Sequence, residues 1–204
     1  MPETEALLSR FGAANTQVLG ISIDSVFCHA NWAVSIGGVS FPLLADFHPK
    51  GAVASSYGLY LEDAGITDRA TVIIDAGGTV RHISSVTPGG RRDIGELAAL
   101  CEKIDAEYSG PKQAVQAQGS FPGGSTLFVK TSCGHSLKAK NALANLHLEN
   151  AITLRYVSDD DAAKADLVKA GGKDQAPCLV VDGKPMYEAD DIVKAMIDAV
   201  AYLK

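Results

Sequence analysis

Residues 125–148 read STLFVKTSCGHSLKAKNALANLHL, and this stretch decides the fold of the second half of the chain. The apolar run at 125–129 predicts a buried strand, and the segment from Ser136 onward predicts a helix. Cys133 stands at their junction, where the unpaired N–H groups of a helix amino terminus lower the pKa of a thiol. Lys130 and His135 add basic side chains nearby. The pattern indicates a reactive thiol, with a small residue that fills the turn as the alternative.

The same alternation of strands and helices extends over both halves of the chain. In the second half we predict strands at 151–157, 177–183 and 184–187 and helices at 161–171 and 189–203. In the first half we predict helices at 2–11, 27–37, 48–60 and 93–108, and strands at 16–24, 41–46 and within 69–86. This order predicts an α/β fold for each half.

The segment between the two halves, 109–124, is rich in Gly, Pro, Gln and Ala and has no periodic apolar residues, so we predict a linker there. The expected organisation is a first unit at 1–108, a linker at 109–124 and a second unit at 125–204. We expect the linker to be flexible and to raise the effective concentration of one unit near the other.

Composition excludes several classes of protein. The chain has 204 residues, 47% hydrophobic and 21% charged, which is typical of a folded globular protein. A net charge of −6 without a basic stripe argues against a nucleic-acid-binding surface. The apolar runs are too short to span a membrane, and the amino terminus is acidic where a secretory signal would be basic. We therefore expect a cytoplasmic protein.

The four cysteines are Cys28, Cys101, Cys133 and Cys178. They lie far apart, and none forms a Cys-x-x-Cys pair. In a reducing compartment we interpret them as individual thiols. Cys101 falls on the apolar stripe of a predicted helix and is assigned to the core. Cys178 opens a predicted strand, where a small core residue is favoured over a resolving thiol.

Several separated motifs of the second unit resemble the glutaredoxin family, over residues 125–204. They are Lys130 three positions before Cys133, the segment Gln175-Ala176-Pro177-Cys178, and Ala189-Asp190-Asp191 at a helix start. The resemblance implies that glutathione is a co-substrate at Cys133 and that no metal is required. It also implies a cis peptide bond before Pro177 and the following glutathione-binding residues: Lys130, Ala176, Pro177, Ala189, Asp190 and Asp191.

In that family Lys130 would meet a glutathione carboxylate, and the backbone of Ala176 would pair with the glutathione backbone. The helix start at 189–191 would bind the γ-glutamyl end, its N–H groups taking the carboxylate and an aspartate taking the amine. One departure is that Ser136 stands where dithiol members have a second cysteine. This implies a monothiol route, in which a second glutathione releases the first. The Cys-Gly-x-Ser pattern also resembles monothiol members that bind a [2Fe–2S] cluster, which is kept as an alternative.

The first unit resembles peroxiredoxins of the alkyl hydroperoxide reductase type. The similarity runs through TQVLGISIDSVFCHANWA, GGVSFPLLADFHPKGAVASSYGLY and GITDRATVIIDAGGTVRH. It implies peroxide reduction, with Arg69 as the arginine that activates a peroxidatic cysteine. The family loop that carries this cysteine, and the two strands before it, have no counterpart here, so we expect the peroxidatic cysteine to be absent from this chain. Cys28, beside His29 at a helix start, is the alternative reactive thiol.

Together the two resemblances imply two thioredoxin-like domains, the first lacking its amino-terminal strands. Exposed strand edges in the first unit predict a homodimer through that unit. The expected function is glutathione-dependent thiol–disulfide exchange at Cys133 in support of peroxide reduction. Expected partners are glutathione, glutathionylated or disulfide substrates, and peroxides. The alternatives kept open are the cluster-binding module and a scaffold without catalytic activity.

Overall fold

The computed structural model describes residues 1–115 and 119–201. The helices are α1 (Pro2–Ala6), α2 (Leu8–Ala13), α3 (Val26–Ser35), α4 (Ala52–Ser56), α5 (Ile94–Glu107), α6 (Gly134–Asn145), α7 (Asp161–Gly171) and α8 (Ala189–Val200). The strands are β1 (Gly20–Ser22), β2 (Leu43–Ala45), β3 (Tyr60–Leu61), β4 (Ile66–Thr67), β5 (Ala70–Ile74), β6 (Val80–Ser85), β7 (Ser125–Val129), β8 (Ile152–Tyr156), β9 (Cys178–Val181) and β10 (Lys184–Met186). None of the described helices is both long and apolar enough to cross a membrane.

The second unit is built on one mixed sheet with the strand order β10-β9-β7-β8. Strands β7 and β8 run parallel, whereas β9 is antiparallel to both β7 and β10. Successive side chains of a strand point to opposite faces. Leu127 and Val129 therefore pack into the core below α6 and α8, and Phe128 packs with Leu167 of α7 on the other face. This confirms the predicted thioredoxin-like layering.

The first unit has three separate pairs of strands. Strands β1 and β2 are parallel, and the pairs β3–β4 and β5–β6 are antiparallel. The predicted hairpin at 69–86 is confirmed as β5–β6. A hydrophobic core of the first unit forms where α2 and β5 meet α5. Its buried members are Phe11, Ala14, Ile73, Ile94, Ala98, Cys101 and Ile104. The predicted α/β character is confirmed, and Cys101 lies in the core as expected.

Three predicted helices differ from the observed ones. The first is divided at Leu7 into α1 and α2. The helix predicted over 48–60 is reduced to Ala52–Ser56, because Gly51 is left-handed (φ 68°) and Tyr60–Leu61 pairs with β4 instead. The last helix, predicted over 189–203, ends at Val200, where Ala201 is extended; residues 202–203 of the predicted range lie outside the described residues.

Part of the predicted linker is packed against the rest of the protein. Phe121 is buried in the core of the second unit, and Lys112 pairs with Asp105 at the end of α5 with 3.1 Å between Nζ and Oδ1. Val115 packs beside the small core formed by Leu8, Val39 and Phe41. Residues 116–118 of the predicted linker lie outside the described residues. The division of the chain into units stays a prediction.

The two units contact each other through the turn that follows α3. Gly37 has φ 92°, and a Cβ atom at this position would overlap the backbone carbonyl of Asn141 on α6. The buried amide of Asn145, at the carboxyl end of α6, donates a hydrogen bond to the carbonyl of Gly38. Glycine is required at position 37 by both the backbone angle and the close approach.

A buried carboxyl group, Glu5 on α1, lies near this contact and is 4% exposed. The backbone N–H of Ser40 donates to Glu5 Oε2 at 3.0 Å, and the Ser40 hydroxyl donates to Oε1. Burial raises the pKa of Glu5, although Ser40 and the charge of His147 favour the ionised form. Because the folded-state pKa is raised, the stability that Glu5 contributes is complete below its ordinary pKa and is lost as the pH rises through the folded-state value.

The replacement Glu5→Gln is therefore expected to stabilise the protein at about pH 8, by on the order of 1 kcal/mol, and to lose this advantage towards about pH 4. Glutamine keeps the shape and an acceptor for Ser40 but carries no charge to bury. Urea unfolding of both proteins at the two pH values measures the difference. If Glu5→Gln lowered the free energy of unfolding equally at both pH values, the conclusion that the buried charge of Glu5 destabilises the protein at high pH would be wrong.

Candidate active site

Two helices begin at the same edge of the four-stranded sheet. Because β9 is antiparallel to β7 and to β10, the carboxyl ends of β7 and β10 lie beside the amino end of β9. Helix α6 follows β7, and α8 follows β10, so both amino termini start there. We name this place the Cys133 edge. The fold thus brings together positions that are about 60 residues apart in the sequence and places two helix amino termini, with their unpaired N–H groups, at one edge of the sheet.

Cys133 is the residue that caps the amino terminus of α6, and it carries a free, half-buried thiol. Beside it lies a cavity of about 280 Å³. The cavity is lined by Lys130, Thr131, Ser132, Cys133, Gly134, Leu137 and Lys140. The sulfur is therefore accessible to a partner from solvent, which a residue that merely fills the turn would not need to be.

The surroundings of Cys133 favour its thiolate. The backbone N–H of Ser136 makes the largest contribution to lowering the pKa of Cys133, followed by the Ser136 hydroxyl. The N–H of His135 and the charge of Lys130 lower the pKa further, and desolvation opposes them. The side chain of Cys133 makes no capping hydrogen bond of ordinary geometry. The pKa of Cys133 is therefore lowered mainly by the electrostatic effect of N–H dipoles in the first turn of α6, which stabilise the thiolate.

Ser136 has a second role that sequence reasoning missed. Its side chain is fully buried, and its hydroxyl oxygen accepts a hydrogen bond from the backbone N–H of Lys130 at 3.0 Å. The hydroxyl therefore ties the end of β7 to the first turn of α6 while it also favours the thiolate of Cys133. In the sequence Ser136 is visible only as the residue that replaces a second cysteine.

The turn before β9 lies next to this thiol-bearing loop. Phe128 of β7 pairs with Cys178, so the residues before Cys178 continue alongside the end of β7. The peptide bond between Ala176 and Pro177 is cis, as the resemblance implied, and Pro177 is buried. The bond between His48 and Pro49 is also cis, which the sequence analysis did not predict.

The other predicted glutathione-binding residues lie at the same edge. Lys130 Nζ is 3.9 Å from Asp174 Oδ1, and Asp190 at the start of α8 contacts Lys138 of α6. The side chains of Gln175 and Glu188 are hydrogen-bonded at 3.1 Å, which links the cis-proline turn to the start of α8. Ala189 is buried and Asp191 is exposed in the first turn of this helix. The fold brings these residues together, and their binding roles stay predictions.

The remaining cysteines have environments that oppose ionisation. Local desolvation and the nearby carboxylate of Asp24 raise the pKa of Cys28, whose thiol lies 3.6 Å from Asp24 Oδ1. Burial raises the pKa of both Cys101 and Cys178. Cys178 packs inside the core with Phe128, in agreement with a structural role. The reactive role of Cys28 stays a prediction, and its surroundings work against it.

Arg69 precedes β5 in the first unit, and its Nε donates to the carbonyl of Pro88 at 3.0 Å. The sequence analysis missed its neighbour Arg92. Burial, followed by the positive charge of Arg69, lowers the pKa of Arg92. Arg92 Nη2 donates to the carbonyl of Ala70 at 2.7 Å, while its buried Nε has no partner among the described residues. Within 1–115 and 119–201, no hydrogen bond or ion pair joins Arg69 to Cys133.

Comparison with known proteins finds two separate regions of similarity. Residues 1–83 match the model of the AhpC/TSA family, and residues 126–186 match the model of the glutaredoxin family. Alkyl hydroperoxide reductase E of Mycobacterium tuberculosis is 40% identical over 86 residues, which cover 42% of this chain and 56% of that protein. The chloroplastic 2-Cys peroxiredoxin BAS1 of Spinacia oleracea is 31% identical over 121 residues, covering 56% of this chain and 44% of its own length.

Among solved structures, AhpC of Mycobacterium bovis aligns with a TM-score of 0.48 and 25% identity, covering 53% of this chain and 61% of that one. The chain spans about half the length of the curated relatives it matches, 56% and 44% for the two named above. Both matched families consist of thiol-dependent redox enzymes. Residues 1–83 are therefore similar to part of the AhpC/TSA family, and residues 126–186 are similar to the glutaredoxin family.

Proposed function

We propose that this chain is a thiol–disulfide oxidoreductase that uses glutathione at Cys133 and supports the reduction of peroxides. One observation carries the proposal: of the four thiols, Cys133 alone is held at a lowered pKa, whereas the pKa values of Cys28, Cys101 and Cys178 are raised. A thiolate is the nucleophile in thiol–disulfide exchange. A scaffold without catalytic activity would not need a stabilised thiolate at Cys133.

The proposed reaction has two steps. The Cys133 thiolate attacks the glutathione sulfur of a glutathionylated partner; a Cys133–glutathione disulfide forms, and the partner leaves as a thiolate that takes a proton from water. A second glutathione, as its thiolate, then attacks the glutathione sulfur of this disulfide. Glutathione disulfide leaves, and the Cys133 thiolate is restored. Over both steps, the glutathionylated partner and one free glutathione become the partner thiol and glutathione disulfide, and Ser136 takes no covalent part.

Glutathione fits the groups at the Cys133 edge. A carboxylate of the tripeptide would meet Lys130, and its backbone would pair with Ala176 beside Pro177. The γ-glutamyl end would lie on the first turn of α8, where unpaired N–H groups bind a carboxylate and an aspartate binds the ammonium. The convergence of β7, β9, α6 and α8 at one edge supports this assignment. Within the described residues, no cluster of three or more His, Cys, Asp or Glu with metal-binding geometry is present.

The first unit is proposed to act on peroxides, a role supported by the match of residues 1–83 to the AhpC/TSA family. Arg69, with Arg92 beside it, would supply the positive charge that stabilises a thiolate or a peroxide oxygen. A homodimer through this unit is part of the proposal. Exposed apolar side chains such as Phe27 (79%) and Phe47 (59%) support it. Elution as a monomer at micromolar concentration would contradict the dimer.

A coupled assay tests the proposed function directly. The protein is incubated with glutathione, glutathione reductase, NADPH and a glutathionylated peptide, and the oxidation of NADPH is followed. We expect a rate that depends on both the protein and glutathione. The absence of any protein-dependent rate would refute the proposal. Anaerobic reconstitution with iron and sulfide, followed by a visible spectrum, tests the cluster-binding alternative on the same preparation.

A further inference from the structure

Two ion pairs at the Cys133 edge engage charged residues that the proposed function assigns to glutathione. Lys138, one turn inside α6, contacts the carboxylate of Asp190 at the start of α8. Asp174, in the loop before the cis-proline turn, bridges two lysines: its Oδ1 is 3.9 Å from Lys130 Nζ, and its Oδ2 is 3.1 Å from Lys164 Nζ. The Lys138–Asp190 and Lys130–Asp174 pairs each join elements that are distant in the sequence.

The two internal partners have the same charges as the two ends of glutathione. The ammonium of Lys138 lies on Asp190, one of the two aspartates at the start of α8 that could bind the glutamyl ammonium of the tripeptide in the proposed function. The carboxylate of Asp174 lies beside Lys130, which would otherwise bind the glycine carboxylate. A bound glutathione that reaches both residues must therefore replace one protein ion pair at each end, so only the difference between the new and the old pair contributes to affinity.

We propose that Lys138 and Asp174 are affinity-setting residues that compete with glutathione for Asp190 and Lys130. This inference rests on the proposed function. It gives the site a way to release glutathione disulfide, because an internal partner stands ready to take back each charged residue as the product leaves. Since binding the substrate and the transition state equally tightly does not accelerate the chemical step, a weakened ground-state complex costs the reaction little.

The size of the effect follows from the exposure of the pairs. The side chains of Lys138 and Asp190 are 27% and 79% exposed, so the pair belongs to the class of surface salt bridges that contribute modestly. Removing one partner should tighten the binding of glutathione about two- to fivefold at each end. Both ends are separate in space and share no partner, so the two gains are expected to multiply.

The test uses the full chain with Cys133→Ser, which prevents covalent exchange, and titrates it with S-methylglutathione while amide NMR signals are recorded. Lys138→Met is compared with Lys194→Met. Lys194 is a matched control because it is also a helix lysine that pairs with an aspartate, but its partner is Asp198 within α8 and it does not line the cavity beside Cys133. We expect Lys138→Met to bind S-methylglutathione about two- to fivefold more tightly than Lys194→Met.

The second arm compares Asp174→Asn with Asp198→Asn. Asp198 is a matched control because it pairs with Lys194 within α8. We again expect a gain of about two- to fivefold for Asp174→Asn alone. Two analogues identify the cause. A ligand that lacks the glutamyl ammonium should abolish the gain from Lys138→Met, and a ligand with an amidated glycine carboxylate should abolish the gain from Asp174→Asn.

The possible results separate this inference from the function on which it rests. If S-methylglutathione does not bind the parent protein, the proposed glutathione site is wrong. If it binds, but Lys138→Met or Asp174→Asn binds no more tightly than its control, the competition is refuted while the site stands. A gain that persists with the corresponding analogue would refute it as well. Retention of the amide spectrum shows that each variant is folded.

Discussion

Replacement of Cys133 by serine is expected to abolish the glutathione-dependent reduction of a glutathionylated peptide, with a loss on the order of a thousandfold or more. The variant keeps the helix start, the cavity and the charges around position 133. What it loses is the thiolate, since a serine hydroxyl stays protonated where the lowered pKa of Cys133 allows the thiol to ionise. The measurement is the coupled NADPH assay at saturating glutathione.

Cys28→Ser makes the same chemical change at an exposed thiol whose pKa is raised. We expect this variant to retain the rate of the parent protein, so it controls for general loss of thiol reactivity. Full activity in Cys133→Ser would contradict the assignment of the nucleophile. A loss confined to Cys28→Ser would move the reactive thiol into the first unit.

The second large effect is expected from Ser136→Ala. The change removes the hydroxyl that favours the Cys133 thiolate and leaves the N–H of Lys130 without its acceptor. Because this hydroxyl is the second-largest cause of the lowered pKa of Cys133, we expect the thiolate fraction, and with it the exchange rate near neutral pH, to fall severalfold. The free energy of unfolding should also fall, by about 1–3 kcal/mol for an unpaired buried group.

The pH dependence identifies the cause of that loss. The folded protein lowers the pKa of Cys133, so its thiolate is present at a lower pH than for an ordinary cysteine, and it is lost as the pH falls through the lowered value. In Ser136→Ala the rate of alkylation by iodoacetamide, measured in a Cys28→Ser background, should rise at a higher pH. At a pH at which Cys133 is fully ionised in both proteins, Ser136→Ala should react at least as fast as the protein with Ser136, because a thiolate of higher pKa is the better nucleophile.

Ser158→Ala is the matched control for this experiment. The Ser158 hydroxyl accepts a hydrogen bond from the backbone N–H of Thr131 at 3.2 Å, in the same loop but without a contribution to the thiolate. We expect its alkylation profile to match that of the parent protein. An unchanged profile in Ser136→Ala, or an equal shift in both variants, would show that Ser136 does not stabilise the thiolate.

Local patterns in the sequence determine much of the second unit. The apolar run at 125–129 is buried as β7, and its alternating side chains divide between two cores, as strand geometry requires. Cys133 could be placed at a helix start because the polar turn separates a strand pattern from a helix pattern. That position predicts part of the lowered pKa, since the amino-terminal N–H groups are a property of any helix, whereas the contribution of the Ser136 hydroxyl depends on its burial in the fold.

Other features depend on contacts that no local pattern specifies. The early end of α4 results from pairing between Tyr60 and Thr67, and Phe121 is buried by a core that forms from distant strands. The pair of Lys138 and Asp190 requires α6 and α8 to start at one edge. At Cys28 the helix-start position favoured reactivity, but desolvation and the carboxylate of Asp24, which raise the pKa of its thiol, depend on the fold and were not weighed against it.

Helix α6 has Cys133 at its amino end, and its carboxyl end contacts the Gly37–Gly38 turn of the first unit. Its 12 residues span about 18 Å, and at the carboxyl end the side chain of Asn145 is hydrogen-bonded to the carbonyl of Gly38. Two cysteines must bring their Cα atoms within about 7 Å to share a disulfide. While the contact between Asn145 and Gly38 holds, the Gly37–Gly38 turn lies about one helix length from Cys133, so a cysteine introduced at that turn would be too far away to form a disulfide with Cys133.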